Sequence, residues 1–308
     1  MAILNGIISK LTGSTGNLVF KRIGDRTIVS EKPHTVTNPR TDAQMRQRTK
    51  WGNIIAMYRG IRPLLNYGFE NKPRNLSDYN MFVKVNMQRT PIYLTKQSIA
   101  GGACIATAYQ ITQGSLPSIV TSGSGQNITT DISLGSDGIS ASTTVAQFAR
   151  MVVTNNEQYQ YGDQISFFLI KQKVNAETEI PYCTFSASKV ILDSADTETK
   201  LWDIVNKNGF SAQDGCLGHS GNDGDCAFAW VHSRKMDGKT LVSTQSLVAN
   251  NSKEAEYKGD LAYNLAKSSF GVSVESFLVP NGESTGSTGG NAGGDNGGGN
   301  SGGGNDSL

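Results

Sequence analysis

Four residues near the C-terminal third have side chains that could together bind a metal ion. Cys216, His219, Cys226 and His232 follow a Cys-x2-His-x6-Cys-x5-His pattern, and zinc favours tetrahedral sets of thiolate and imidazole ligands. These spacings do not match a zinc finger or a zinc knuckle, and the Gly/Asn/Asp run 221–224 between them is typical of a loop. The pattern therefore has two interpretations, a zinc site or a loop with incidental cysteines. We expect the loop, with no metal and no other cofactor.

Sequence motifs for catalysis are scarce. Neither a Walker sequence nor a His-Glu-x-x-His motif occurs, and the chain has three histidines, so acid–base chemistry would depend mainly on carboxylates. The sequence predicts a protein that is not an enzyme, and no small-molecule substrate is inferred.

Positive charge is concentrated at the N-terminal end. Residues 1–100 contain 16 Lys and Arg against 5 Asp and Glu, while residues 101–308 contain 12 against 21. Such asymmetry indicates an anionic partner for the basic part, or attraction between the two parts within the chain or between neighbouring copies. The predicted partner-binding residues lie in a basic stretch and are Arg46, Arg48, Lys50, Arg59 and Arg62. They predict a protein partner or self-assembly, with nucleic acid as the alternative, because basic side chains interleaved with aromatic ones also contact phosphate backbones.

The basic residues belong to a predicted helix that begins after Asn38 and Pro39. Thr41 followed three residues later by Gln44 predicts a capping box, and Asp42 is well placed near the positive end of the helix dipole. We expect these residues to set the direction of the chain rather than to perform chemistry.

A stripe of large apolar side chains predicts which side of this helix faces the core. At 100° per residue, one sector of about 80° holds the predicted inward-facing residues, which are Trp51, Ile54, Tyr58, Ile61 and Leu65.

Pro63 lacks an N–H group, so the helix is expected to break near residues 60–62.

The sequence predicts short strands over most of the remaining chain. Two β-prone runs flank Gly24-Asp25 and predict a hairpin, and Met236-Asp237-Gly238-Lys239 predicts another. A short helix is predicted over Val145 to Thr154 because apolar residues recur there at helical spacing. The fold class is therefore α+β and mainly β, with an N-terminal hairpin and helices followed by one or two β-sandwich-like modules. The predicted domains are a basic hairpin-helix unit at 1–90, β-rich modules at 91–190 and 191–280, and a disordered Gly/Asn/Ser tail at 281–308.

We expect neither a membrane-spanning segment nor a signal peptide. No apolar run reaches the ~18 residues of a membrane-spanning helix, and residues 1–10 lack the basic and apolar regions of a signal peptide. We expect a protein that is cytoplasmic at synthesis, with its four cysteines as reduced thiols.

Three N-terminal segments carry a family resemblance. The segments Gly16 to Lys21, Ser30 to Pro33 and Asn38 to Arg48 resemble a large uncharacterised family of Bacteroidota proteins that is known as a domain of unknown function. The resemblance implies a glycine-punctuated hairpin, an Asn-Pro-x-Thr-x-x-Gln helix start and a β-rich remainder, and it implies no known activity. Similar segments in phage structural proteins suggest, by analogy, a virion or assembly component.

From these observations we expect a non-enzymatic structural or interaction protein that docks through its basic hairpin-helix unit. The alternative is a nucleic-acid-binding protein that uses the same helix.

Overall fold

The fold is α+β and mainly β, as predicted. The computed structural model describes residues 2–4, 12–23, 26–33, 40–65, 68–73, 75–125 and 127–271. The strands are β1 Ala2–Leu4, β2 Gly13–Thr15, β3 Leu18–Ile23, β4 Arg26–Glu31, β5 Gln110–Thr112, β6 Thr121–Ser124, β7 Asn127–Ser133, β8 Gln164–Val174, β9 Pro181–Ile191, β10 Ser211–Gln213, β11 Cys216–His219, β12 Cys226–Met236, β13 Lys239–Val242, β14 Gln245–Ser246 and β15 Val248–Asn250. The helices are α1 Asp42–Ile61, α2 Asp78–Asn86, α3 Lys96–Ala100, α4 Val145–Asn155, α5 Leu201–Ile204 and α6 Gly259–Ser269, with a 3₁₀ turn at Glu254–Tyr257.

The longest strands form one antiparallel sheet in the order β13-β12-β8-β9, and β15 pairs with the first residues of β12. Strand β8 pairs with β9 along its whole length, and with β12 from Gln164 to Lys171. The predicted modules 91–190 and 191–280 therefore both contribute strands to this sheet. The turn between β12 and β13 is the predicted Asp237-Gly238 hairpin, and both residues have positive φ. Asp-Gly suits such a turn because aspartate tolerates, and glycine readily adopts, positive φ.

The two faces of this sheet pack into two separate cores, because side chains alternate along a strand. On β12, Phe228 and Trp230 enter one core, whereas Ala227, Ala229 and Val231 enter the other. The first core is covered by α4 and by a second sheet in the order β10-β11-β7-β6. The second core is covered by α1 and α2. The long sheet is thus the middle layer of the fold.

Helix α4 confirms the predicted helix at Val145 to Thr154. Thr144 and Gln147 form a capping box at its start, which satisfies two N–H groups that the helix itself leaves unpaired. Phe148, Ala149 and Val152 are fully buried in the first core.

Helix α1 begins and ends where the sequence predicts. The Gln44 N–H donates to Thr41 Oγ1 at 3.4 Å, but Gln44 Oε1 is buried without a hydrogen-bond partner, so half of the predicted capping box is formed. The helix ends at Ile61, two residues before Pro63. Asn38 and Pro39 lie outside the described residues.

The predicted inward stripe of α1 is wrong at Trp51. That side chain is 40% exposed, and the buried residues of the helix are Met45, Thr49, Asn53, Ile54, Met57 and Ile61. The buried side is rotated away from Trp51 because two polar residues lie inside and are hydrogen-bonded there. The Asn53 side chain donates to Ile105 O and to the Tyr109 hydroxyl, each at 3.1 Å, and accepts from the Ile105 N–H at 2.7 Å.

The N-terminal strands form a separate antiparallel sheet in the order β1-β4-β3-β2. Its β3–β4 pair, with Leu18 opposite Glu31 and Ile23 opposite Arg26, confirms the predicted hairpin. The turn at Gly24-Asp25 and the predicted tail at 281–308 lie outside the described residues. Within the part of the chain that the structure describes, no helix is long and apolar enough to cross a membrane.

Candidate partner-binding surface on helix α1

A cleft of about 590 Å³ lies along the outer side of α1. Trp51 and Ile55 provide apolar lining from the helix, and Arg48 and Arg59 line it as well. Ile99 at the end of α3 and Phe270 after α6 also line it. We call this feature the α1 cleft.

A glycine lets α3 approach the helix closely enough to form the cleft. A Cβ atom at Gly52 would lie 2.5 Å from Cγ1 of Ile99, which is closer than real carbon contacts. The other wall depends on α6, because Met45, Tyr93, Tyr263 and Ala266 form a small buried core against which Phe270 packs. The α1 cleft is therefore assembled from segments that are distant in the sequence.

The lining residues of α1 share one face of the helix. Arg48, Trp51, Ile55 and Arg59 follow one another at spacings of three or four residues, which brings them into line on a helix surface. Since an α-helix rises 1.5 Å per residue, the two arginines lie about 16 Å apart along the axis. Trp51 and Ile55 lie between them, so the cleft offers apolar surface with a guanidinium group toward each end.

The predicted set of partner-binding residues is divided by the structure. Arg46 Nε donates to Asp42 Oδ2 at 3.0 Å, and its guanidinium lies 4.2 Å from the ring centroid of Tyr263. Lys50 Nζ donates to Met87 O at 2.8 Å, and burial lowers the pKa of Lys50. Both side chains are thus engaged within the chain. Arg62 is exposed at the C-cap of α1.

Helix α6 occupies the side of α1 that carries Arg46. Asp42 Oδ1 accepts hydrogen bonds from the Tyr263 hydroxyl at 2.6 Å and from Lys267 Nζ at 3.0 Å. These bonds and the one from Arg46 lower the pKa of Asp42 below its usual range. The side that carries Arg48 and Arg59 faces the α1 cleft instead.

The four candidate zinc ligands do not form a ligand set. His219 Nε2 lies 2.8 Å from Asp223 Oδ2, whereas His232 Nε2 lies 2.8 Å from Asp163 Oδ2. Burial raises the pKa of Cys226 to about 12. Among the described residues, no group of three or more His, Cys, Asp and Glu side chains could hold a metal ion.

One of these histidines belongs to a buried network that the sequence did not predict. Arg234 Nε donates to Asp163 Oδ1 and its Nη2 donates to Oδ2, each at 2.7 Å, beside the contact with His232. Burial alone would raise the pKa of Asp163, but the hydrogen bonds from Arg234 and His232 outweigh it and the pKa falls to about 2. This network joins β12 to the turn before β8. It carries no local sequence signal, because its members lie 69 and 71 residues apart.

The N-terminal half of the chain resembles a known family. Residues 10–161 match the model of DUF6266, a family of unknown function, which confirms the predicted resemblance to an uncharacterised family. The match includes the hairpin, α1 and all of the α1 cleft except Phe270. No curated protein and no solved structure matches the chain.

Proposed function

We propose that this protein is a non-enzymatic structural protein that assembles through contacts between its own copies. Its N-terminal hairpin-helix unit docks onto the next copy through the α1 cleft. The observation that carries this proposal is the exposure of Trp51, 40%, in a cleft that Arg48 and Arg59 also line. A virion or another assembly is the setting that the sequence resemblance suggests.

Charge complementarity argues for a second copy as the occupant of the α1 cleft. The first hundred residues have a charge balance of +11, and the rest of the chain has a charge balance of −9. Within that remainder, Asp193, Glu198 and Asp203 are exposed on one segment that ends in Ile204, which is 44% exposed. This acidic segment, residues 193–204, offers carboxylates and an apolar side chain, which complement the arginines and Trp51. The proposed contact joins two different surfaces, so repetition builds a ring or an open chain of copies.

Residue types in the cleft suit a stable contact. In protein–protein interfaces, Trp and Arg are enriched among the few residues that contribute most of the binding free energy. Such residues lie where the surrounding contacts exclude water. Exposed charges are screened by salt, with a Debye length of about 10 Å at 0.1 M ionic strength. We therefore expect self-association that weakens as the salt concentration rises. At every salt concentration it should depend on Trp51.

Nucleic acid is the competing occupant. Trp51 could stack on a base while Arg48 and Arg59 contact phosphates. Two of the five basic residues predicted to bind a partner, Arg46 and Lys50, make contacts within the chain. The observations therefore favour a protein contact, and nucleic acid becomes an outcome of the test.

Size-exclusion chromatography with light scattering, at low and high salt and over a range of protein concentrations, tests the proposal. The wild type is expected to exceed the monomer mass at low salt, and Trp51→Ser is expected to stay monomeric. Tyr161→Ser is the matched control, because Tyr161 is an aromatic residue that is 46% exposed and lies outside α1. A wild type that is monomeric throughout would overturn the proposal. Wild type that binds added DNA or RNA through Trp51 but never self-associates would favour the competing occupant.

A further inference from the structure

Two of the four cysteines lie side by side, although they are 79 residues apart in the sequence. The Cys183 thiol donates to the backbone oxygen of Cys104 at 3.2 Å, and the Cys104 N–H donates to Pro181 O at 2.9 Å. The segment that carries Cys104 therefore runs along the edge of β9. All four cysteines are free thiols in the structure.

We propose that Cys104 and Cys183 are a redox modification site, which a peroxide converts to an intrachain disulfide. The Cys183 sulfur lies against the backbone of Cys104, so the two residues are direct neighbours, as a disulfide with its Cα separation of about 4.4–6.8 Å requires. This inference is independent of the proposed assembly.

The different exposure of the two thiols assigns the order of the steps. Cys183 is half-buried at the sheet edge, whereas Cys104 is 4% exposed. The neighbouring Cys183 thiol and burial raise the pKa of Cys104 well above its usual range. Since the thiolate is the nucleophile, Cys183 reacts with the oxidant first and Cys104 reacts second.

The chemistry balances with one peroxide molecule. The Cys183 thiolate attacks one peroxide oxygen, the O–O bond breaks, and the leaving hydroxide takes up a proton to form water. The resulting sulfenic acid is attacked at sulfur by Cys104. The S–O bond breaks, the second oxygen leaves as water with the proton of the Cys104 thiol, and the S–S bond forms. Two thiols have then lost two electrons to the peroxide.

The bond would fix one part of the α1 cleft. Gly102 and Ala103 line the cleft directly before Cys104, and both Cys104 and Cys183 contact the core that α1 and α2 cover. Oxidation would therefore attach this cleft segment covalently to β9. Closing a long loop also restricts the unfolded chain, so the oxidised protein is expected to unfold at a higher temperature.

Thiol counting and peptide mapping after oxidation test the inference. The full chain is treated with stoichiometric hydrogen peroxide, remaining thiols are alkylated in denaturant, and linked peptides are identified by mass spectrometry. We expect the loss of two of the four thiols, a Cys104–Cys183 linked peptide, and a rise in Tm of about 5 °C or more that dithiothreitol reverses. Cys183→Ser, a half-buried position, should abolish the linked peptide and the rise, whereas Cys216→Ser should retain both. Four alkylated thiols, a different pairing, or oxidation of Cys183 to sulfinic acid without linkage would overturn the inference.

Discussion

Helix α1 buries Thr49 and Asn53 on one side and exposes Trp51 and Ile55 to the α1 cleft on the other. The buried side is polar in part, yet its groups are paired. Asn53 makes three hydrogen bonds, and the Thr49 hydroxyl donates to Met45 O at 2.8 Å. The exposed side is apolar in part and carries the largest side chain of the helix.

In α1, hydrogen-bond partners rather than side-chain polarity alone decide which side of the helix is buried. An unpaired buried polar group costs about 1–3 kcal/mol, whereas a paired one is tolerated. A large apolar side chain that is exposed to water gains favourable free energy when a partner covers it. The inner side of α1 thus provides stability, and we infer that the outer side provides binding. Substitutions on either side, or at the contact with α6, separate these roles.

The largest effect is expected at Asn53. Asn53→Ala would leave the Ile105 N–H buried without its acceptor and remove two donated hydrogen bonds, so we expect the free energy of unfolding to fall by about 2–4 kcal/mol. Urea denaturation measures this change. Asn80→Ala, at an exposed position of α2, should change the free energy of unfolding by no more than about 0.5 kcal/mol. Equal losses for the two variants would remove the distinction between the sides.

A smaller effect is expected at Gly60, which faces β9. A Cβ atom there would collide with the ring of Phe185, so Gly60→Ala should destabilise the protein by about 1–3 kcal/mol despite the better helix propensity of alanine. Gly52→Ala meets Ile99 at the cleft instead, and we expect it to cost less because α3 can shift. Thermal unfolding of both variants gives the order of the two effects, and the reverse order would show that the outer side is the tighter one.

The smallest effect concerns the contact between α1 and α6. Hydrogen bonds from Tyr263, Lys267 and Arg46 lower the pKa of Asp42, so its contribution is present above the unfolded pKa of about 3.9 and is lost as the pH falls below it. Because Asp42 is exposed, we expect less than about 1 kcal/mol. Asp42→Asn should reduce the loss of stability between pH 5 and pH 2 by that amount, as measured by urea midpoints at a series of pH values. An unchanged pH dependence would contradict the role of Asp42.

Local signals in the sequence were enough to predict many of the helices and strands. Thr41 and Pro63 mark the two ends of α1, apolar spacing locates α4, and Asp237-Gly238 marks a hairpin. Each of these signals depends on residues that are close together in the sequence, so it can be recognised without knowledge of the tertiary structure.

The orientation of α1 and the α1 cleft could not be predicted in this way. The partners of Asn53 lie 52 and 56 residues away, and Arg46 contacts Tyr263 on the last described helix. A helical wheel contains none of these contacts, so it assigned Trp51 to the core. Phe270 likewise reaches the cleft through the packing of α6, not through its place in the sequence.

Sedimentation velocity of two complementary variants tests whether the outer side of α1 binds the acidic segment of another copy. Arg59→Glu alters the cleft, and Asp203→Lys alters the acidic segment; Lys84→Glu, at an exposed position of α2, controls for charge. At low salt we predict that wild type and Lys84→Glu self-associate and that each of the other two variants alone is monomeric. An equimolar mixture of Arg59→Glu and Asp203→Lys should form a one-to-one complex, because each supplies the surface that the other lacks. A monomeric mixture, or self-association of Arg59→Glu alone, would show that the α1 cleft does not bind the acidic segment.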